Sequence, residues 1–188
     1  MKKLVLGAAV LLALLSTANA AEYTIDGTGA GMHTSVNFRA SHIGISALWG
    51  RFNDITGHFS YDPANVGAAN ITVNIDPASL DTNHEARDTH LQTSDFLDVA
   101  KFPTAGFVST KIADKGDGKF AVTGNFTLHG VTREITFDAV RTGEGESPFG
   151  DYRAGFEAEF VLDAADYGIK IAPKSEISFH LAIEGIRK

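Results

Sequence analysis

The sequence predicts an all-β protein, an elongated, eight-stranded, antiparallel up-and-down barrel with a short helical segment between two strands. Three observations predict this fold. Apolar side chains recur at every second residue in several long segments, which is typical of antiparallel strands with one buried side. Short glycine-containing turns separate neighbouring segments. Helical periodicity is confined to one stretch. An immunoglobulin-like sandwich is the alternative, although its strands are usually shorter.

The first twenty residues have the pattern of a secretory signal peptide. Two lysines precede the apolar run Leu4–Leu15, and Ala18–Ala20 supplies small residues for cleavage before Ala21. The run is too short for a comfortable bilayer span, so we expect no stable membrane insertion. We therefore divide the chain into a signal peptide, residues 1–20, and one exported domain, residues 21–188.

Composition argues against several kinds of partner. Without the two lysines of the leader, the chain has 14 basic and 23 acidic residues and a formal charge of −9. This balance argues against nucleic acid and against docking on anionic lipid, since both require basic side chains. The chain contains no cysteine, so neither a disulfide framework nor a thiol nucleophile is expected. The sequence leaves a homodimer open.

The strands are assigned in chain order from their alternation. The candidates are Tyr23–Ile25, Ser35–Arg39, Arg51–Tyr61, Ile71–Ile75, Thr104–Ile112, Phe120–Leu128, Val131–Arg141, Tyr152–Leu162 and Ile177–Ile183. Turn-forming residues separate the later strands. Lys115–Gly118 and His129-Gly130 predict tight connections, and Gly143–Gly150 predicts a longer loop. Consecutive hairpins of this kind favour a barrel, because closure removes the sheet edges.

The helical segment lies within Asp81–Phe107. Thr82 followed by Glu85 fits a capping box, in which the two side chains satisfy free N–H groups of the first turn. At about 100° per residue, two faces separate. The acidic face carries Glu85, Asp88 and Gln92, and the other carries His84, Arg87, His90 and Leu91. A short helix of this kind is expected to cover one end of the barrel.

The aromatic residues bear on what the interior holds. Phenylalanine supplies 13 of the 18 aromatic side chains, and they either fill the barrel or line a cavity. Small residues such as Gly124 and Ala154 alternate with large ones, which favours a cavity. Strands of about ten to twelve residues would form a tube on the order of 35 Å long, which suits an extended lipid chain. A barrel packed solid by side chains remains an alternative.

Four parts of the chain resemble the YceI family. They are Ser35–Phe59, Leu80–Phe107, the segment G-N-F-T-L-H-G-V-T-R-E-I-T-F at Gly124–Phe137, and Arg153–Phe156 with Asp166–Ile169 beyond it. They run in order along nearly the whole exported chain. The resemblance implies a lipocalin-like barrel in the periplasm that binds an isoprenoid lipid, such as a polyprenyl phosphate or a quinone-type lipid. It implies no cofactor and carries no established enzymatic activity.

A tail held in such a barrel would contact inward-facing apolar side chains. The predicted tunnel-lining residues are Phe38, Ile43, Trp49, Phe52, Phe107, Phe126, Phe156, Phe160 and Phe179. Trp49 and His42 lie in a predicted link between two strands. Trp49 either lines the mouth of the tube or packs in the core with its N–H satisfied, and the sequence leaves both open.

Arg87 and His90 are the predicted head-group contacts. Arginine offers two parallel donors to a phosphate, and histidine offers a donor that changes with pH. The alternative is that Arg87 pairs with Asp95 or Asp98 and holds the helix in place.

Neither a catalytic site nor a metal site is predicted. His84-Glu85 begins like a zinc-protease helix, but position 88 is aspartate, and the seven histidines lack close metal-ligand spacing. We therefore predict a periplasmic carrier that sequesters an isoprenoid lipid. The alternative is an enzyme acting on such a lipid at the barrel mouth, with His90 and Asp88 as an acid/base pair. Their helix angles diverge by most of a half-turn, which counts against joint action on one atom.

Overall fold

A computed structural model describes residues 20–27, 33–171 and 176–188, so the predicted leader lies outside the described residues apart from Ala20. Strands and helices follow the predicted order. The strands are β1 (Ala21–Asp26), β2 (Ser35–His42), β3 (Ser46–Phe52), β4 (Ile55–Tyr61), β5 (Asn70–Ile75), β6 (Leu80–Asp81), β7 (Ala105–Gly116), β8 (Lys119–Leu128), β9 (Val131–Glu146), β10 (Tyr152–Asp163) and β11 (Glu176–Arg187). Helix α1 spans Glu85–Leu91, and 3₁₀ turns span Val66–Ala68, Pro77–Ser79 and Ala164–Tyr167.

The eleven strand segments form a closed barrel of eight antiparallel strands. β1 and β2 are two parts of one interrupted strand. On one side β1 pairs with β4 and β2 pairs with β3, and on the other side both pair with β11. β3 and β4 likewise form one interrupted strand, and β5 and β6 form another, because β3 pairs with β6 while β4 pairs with β5. β11 pairs with β10 on one side and with β2 and β1 on the other, which closes the sheet. The predicted eight-stranded barrel is confirmed, and the sandwich alternative is wrong.

Two predicted boundaries are wrong. Arg51–Tyr61 is not one strand, because the N–H groups of Asn53 and Asp54 turn away to donate to Oγ of Ser79, at 3.1 and 2.9 Å. Gly143–Gly150 is not all loop, because β9 continues to Glu146 and its glycines pair with β10. β10 accommodates them by a register shift after Gly155.

The barrel wall between β9 and β10 is only partly hydrogen-bonded. The two strands pair along 139–146 and 152–158, whereas in the described structure Val131–Asp138 and Glu159–Asp163 do not pair with each other. Side chains close this part of the wall. Phe137 stacks on Phe160 with ring centroids 5.1 Å apart, and Arg133 donates from Nε to the carbonyl of Asp166 at 2.8 Å.

At the start of β10, an ion cluster of Asp151, Arg153 and Glu184 connects this strand to β11. The Arg153 guanidinium donates to both carboxylate oxygens of Asp151, at 2.7 and 2.9 Å, and to Oε1 of Glu184 at 2.7 Å. The hydrogen bond from Arg153, followed by one from Ser147, holds the pKa of Asp151 at about 2, below its ordinary value of 3.8. The ionised carboxylate therefore stabilises the folded state.

This pKa gives the first prediction, for Asp151→Asn. A carboxyl whose pKa is lowered by folding stabilises the protein above the unfolded value of 3.8, and the contribution is lost as pH falls towards about 2. The melting temperature of the natural protein should therefore fall more steeply than that of the variant over this range, measured by circular dichroism. Asp117→Asn, in the exposed β7–β8 turn, should keep the natural pH dependence. Parallel curves for the natural protein and Asp151→Asn would contradict the assignment.

Candidate functional site

The interior of the barrel is hollow in two places. The inner cavity, of about 110 Å³, lies among the inward side chains of the strands. The mouth cavity, of about 430 Å³, lies where α1 and the segment after it approach β2, β3 and the start of β11. The Phe179 ring lines both cavities and stands between them. The alternative of a barrel packed solid is therefore wrong.

Eight of the nine predicted tunnel-lining side chains line these cavities. Strand alternation places seven of them, and the eighth, Ile43, lies in the turn between β2 and β3. The inner cavity receives Phe107, Phe126, Phe156, Phe160 and Phe179, and the mouth cavity receives Phe38, Ile43, Phe52 and again Phe179. Aromatic contacts hold several of these rings in place. Phe160 stacks on Phe179 with centroids 5.1 Å apart and planes 12° apart, and Phe126 meets Phe179 edge-on at 6.2 Å.

Trp49 is the exception and lines neither cavity. It lies within β3 rather than in a link, and the period of two points Leu48 and Phe52 inward and Trp49 outward. Its indole is 55% exposed and contacts the ring of His180 on the outer face, with centroids 5.4 Å apart. Both alternatives for Trp49, at the tube mouth or in the core, are wrong.

The small residues chosen from sequence do not provide the empty space. Gly124 leaves no gap, because a Cβ there would overlap Cζ of Phe107 and the carbonyl oxygen of Val108. Ala154 is buried but lines neither cavity. The alanines that line the inner cavity include Ala139 and Ala158, on facing positions of β9 and β10.

Sequence reasoning missed about three quarters of the lining. Phe59, Phe120 and Phe137 line the inner cavity and follow the same alternation as the residues that were found. Leu91, Phe96 and Leu97 line the mouth cavity and come from the helical segment, where the apolar face carried the signal. Other mouth residues, such as Leu128 and Ile169, come from the ends of distant elements, and no local pattern brings them together.

Helix α1 begins later than the capping box predicted. Its N-cap is His84, whose Nδ1 accepts a hydrogen bond from the N–H of Arg87 at 3.2 Å. Thr82 cannot cap the helix, because its hydroxyl and its backbone N–H both donate to Oδ1 of Asp88. Asp88 is consequently half-buried instead of lying on a solvated face.

The buried Thr82 also fixes Arg87. Nε of Arg87 donates to the Thr82 hydroxyl and Nη2 donates to the Thr82 carbonyl, both at 2.7 Å. The predicted pairing with Asp95 or Asp98 is wrong, since the guanidinium is bound to Thr82 instead. Arg87 lines the mouth cavity, so its charge is held at the edge of an apolar space.

His90 lines the same cavity one helical turn further on. Its ring meets Phe96 edge-on with centroids 5.1 Å apart, and Nε2 lies 3.4 Å from Oδ2 of Asp95. The structure therefore brings together the two side chains that were predicted to contact a head group. His90 and Asp88, the acid/base pair of the enzyme alternative, have separate partners, Asp95 and Thr82.

Two further features complete the description of the site. Across residues 20–27, 33–171 and 176–188, no group of three His, Cys, Asp or Glu side chains is placed to hold a metal ion. In the same residues, no helix has the length and hydrophobicity needed to cross a membrane.

The position of Arg87 gives the second prediction, for Thr82→Val. Valine keeps the shape of the buried side chain, which is 5% exposed, but removes the hydroxyl that joins Arg87 to Asp88. We expect the free energy of unfolding to fall by about 1–2 kcal/mol, because half-buried polar groups lose a partner. Urea unfolding measures this. Thr132→Val removes an exposed hydroxyl pair with Thr127 and should change stability by less than about 0.5 kcal/mol. Equal effects of both would contradict the role of Thr82.

The fold and the site define a class of protein: an eight-stranded, antiparallel, lipocalin-like barrel with an apolar interior and a mouth covered by a short helix. The chain belongs to the YceI family, since the model of the YceI-like domain matches residues 23–184. The predicted family is thus confirmed over residues 23–184.

Curated relatives agree with the family. A UPF0312 protein of Vibrio vulnificus strain YJ016 is 48% identical over 183 residues, which cover 97% of this chain and 96% of the relative. A UPF0312 protein of Vibrio cholerae strain El Tor Inaba N16961 is 44% identical over 191 residues, with both chains fully covered.

Solved structures show the same fold. The Campylobacter jejuni YCEI protein has a TM-score of 0.71 at 27% identity, over 86% of this chain and 94% of that one. BcnA of Burkholderia cenocepacia has a TM-score of 0.72 at 20% identity, over 80% and 95%. A polyisoprenoid binding domain from Saccharophagus degradans has a TM-score of 0.65 at 16% identity, over 90% and 99%. At these identities, the last two are evidence for the fold alone.

Proposed function

We propose that this protein is a carrier that sequesters an isoprenoid lipid, with the tail in the inner cavity and the head group in the mouth cavity. The observation that carries the proposal is the hollow apolar interior. Transfer of each methylene from water into such a space contributes ~0.8 kcal/mol, so a few isoprene units would supply substantial affinity before ordering costs. Binding, rather than catalysis, is the role that this interior supports.

The two volumes favour a slim ligand with a larger head. The mouth cavity, at about 430 Å³, is in the range of ordinary small-molecule sites. The inner cavity is much smaller, at about 110 Å³, and is walled by aromatic rings, so it suits a thin apolar chain better than a compact metabolite. An extended tail would enter it past Phe179, which separates the two spaces.

The isoprenoid class and the periplasmic location have separate support. The Saccharophagus degradans domain of the same fold is described as polyisoprenoid-binding, but its 16% identity does not transfer that ligand. The class proposed here depends on the slim, aromatic-walled interior and on the family resemblance. Export depends on the leader pattern of residues 1–20, and the intact mass of protein from its own host should correspond to a chain beginning at Ala21.

Native mass spectrometry of protein purified from its own host, followed by organic extraction, tests the proposal. We expect a bound species that dissociates on activation, and an extracted lipid with the repeating mass of isoprene units. Protein that is free of ligand in repeated preparations, with an empty extract, would overturn the proposal.

A matched pair of variants locates the ligand. Ala158 lines the inner cavity, so Ala158→Phe should fill that space and abolish the bound species while the barrel still folds. Ala182 lies on β11 between the inward-facing Leu181 and Ile183 and lines neither cavity, so Ala182→Phe should leave the bound species unchanged. Retention of lipid by folded Ala158→Phe would place the tail outside the inner cavity.

A further inference from the structure

The titratable side chains that line the mouth cavity in the described structure are all basic. Four titratable residues line it: His42, Arg87, His90 and Lys170. Within residues 20–27, 33–171 and 176–188, no carboxylate lines it, although the whole chain has 23 acidic against 16 basic residues. The bias is therefore opposite to that of the protein as a whole. These residues come from three separate places, the end of β2, helix α1 and the segment after the 3₁₀ turn Ala164–Tyr167.

We propose that the head group of the ligand is anionic, a phosphate or a carboxylate, and that Lys170 and His42 bind it together with Arg87 and His90. This inference rests on the proposed function and deepens it, because it selects acidic lipids over neutral quinones and alcohols. Lys170 and His42 are the new assignments, because the head-group contacts predicted from sequence were Arg87 and His90 alone.

Among the described residues, His90 is the mouth residue with an ion-pair partner, Asp95, and Lys170, His42 and Arg87 form no ion pair. Lys170 and His42 are exposed, and neither has an ion-pair partner among the described residues. The carboxylates of α1 and of the segments on either side of it lie outside the lining: Asp88 accepts from Thr82, and Asp95 lies beside His90. Arg87 is held by Thr82, which brings no charge of its own. An anion in the cavity would therefore meet two permanent cations and two histidines.

The four basic side chains of the mouth cavity are electrostatically favourable neighbours only when an anion lies between them. Like charges beside an apolar surface repel more strongly than in bulk water, because the local dielectric constant is lower. A phosphate or carboxylate relieves the repulsion and accepts charge-assisted hydrogen bonds, whereas a hydroxyl or a quinone carbonyl carries no net charge. The tail alone would determine how neutral lipids bind.

Displacement of Nile red, a neutral probe, from delipidated protein tests the inference. Farnesyl phosphate should compete more tightly than farnesol, and palmitate more tightly than hexadecanol, with an advantage that shrinks as salt is added. Lys170→Gln should weaken the binding of farnesyl phosphate about tenfold, equivalent to about 1.4 kcal/mol, and should change the affinity for farnesol less than about twofold. Lys111→Gln makes the same charge change on the outside of β7 and should alter neither.

The outcomes separate this inference from the proposed function. Equal competition by farnesyl phosphate and farnesol would overturn the anionic head group and leave the lipid carrier standing. An equal loss for both ligands in Lys170→Gln would assign Lys170 a structural role and overturn its head-group contact. Failure of all four lipids to displace the probe would overturn both proposals. A preference confined to palmitate and hexadecanol would identify carboxylate as the anion and count against the isoprenoid tail.

Discussion

Phe179→Ala should lower the free energy of unfolding by about 3–5 kcal/mol, the range for removing a large aromatic side chain from a core. Phe179 is 5% exposed and stacks on Phe160, and its ring also lies near Phe126 and Phe38, with centroids 6.2 and 6.4 Å away. The barrel cannot collapse around the missing ring, because closed ladders on both sides of β11 fix the backbone. The full cavity cost is therefore expected, as measured by urea unfolding of delipidated protein.

The same substitution tests the division of the interior. Removing the ring joins the two cavities that Phe179 now separates, so the variant should accept longer or bulkier tails than the natural protein. A bound lipid stabilises the folded state by mass action, and added lipid should recover part of the lost stability. Phe149→Ala is the control, since Phe149 is 74% exposed and its ring centroid lies 5.5 Å from Cζ of Arg153. This variant should lower the free energy of unfolding by less than about 1 kcal/mol. If Phe179→Ala lowered the free energy of unfolding by less than about 1 kcal/mol, the result would contradict the position of this ring between the two cavities.

Alternation in the strands predicted the barrel and the phenylalanines in its lining that were identified, because inward and outward positions must alternate wherever a strand is regular. Phe126, Phe156, Phe160 and Phe179 follow directly from it. The errors lie where regularity ends. β3 begins at Ser46 rather than after Trp49, so the indole belongs to the outer phase, and no local signal identifies that start.

The helix and the mouth were harder to predict for a different physical reason. Thr82 has the residue type of a cap, but its hydroxyl is used by Asp88 and Arg87 in a tertiary arrangement, which leaves His84 to cap the helix. The mouth cavity combines α1 with residues such as Lys170, which is far away in sequence. Its basic lining is assembled only by folding, so the helical face identified Arg87 and His90 and gave no signal for Lys170 and His42.

Gly124→Ala is expected to have the second large effect, a loss of about 3 kcal/mol at the upper end of the usual cost of overpacking. A methyl group at Gly124 would overlap the Phe107 ring and the carbonyl oxygen of Val108 on the neighbouring strand β7. The ring can turn, but the carbonyl is fixed by the sheet, so both strands must separate. The displaced Phe107 ring has only the inner cavity to enter, because its other side meets Phe137 with centroids 5.3 Å apart.

The variant should therefore lose stability and lipid together, which urea unfolding and native mass spectrometry measure on one preparation. Gly143→Ala is the matched control, a glycine within strand β9 whose added methyl group would meet nothing within 4 Å. It should leave binding unchanged and stability equal or slightly higher, because alanine restricts the unfolded chain. If Gly124→Ala behaved like Gly143→Ala, Gly124 would not be needed for close packing, and Phe107 would have room away from the cavity. If it lost stability but kept its lipid, the ring would not be displaced into the space that we assign to the tail.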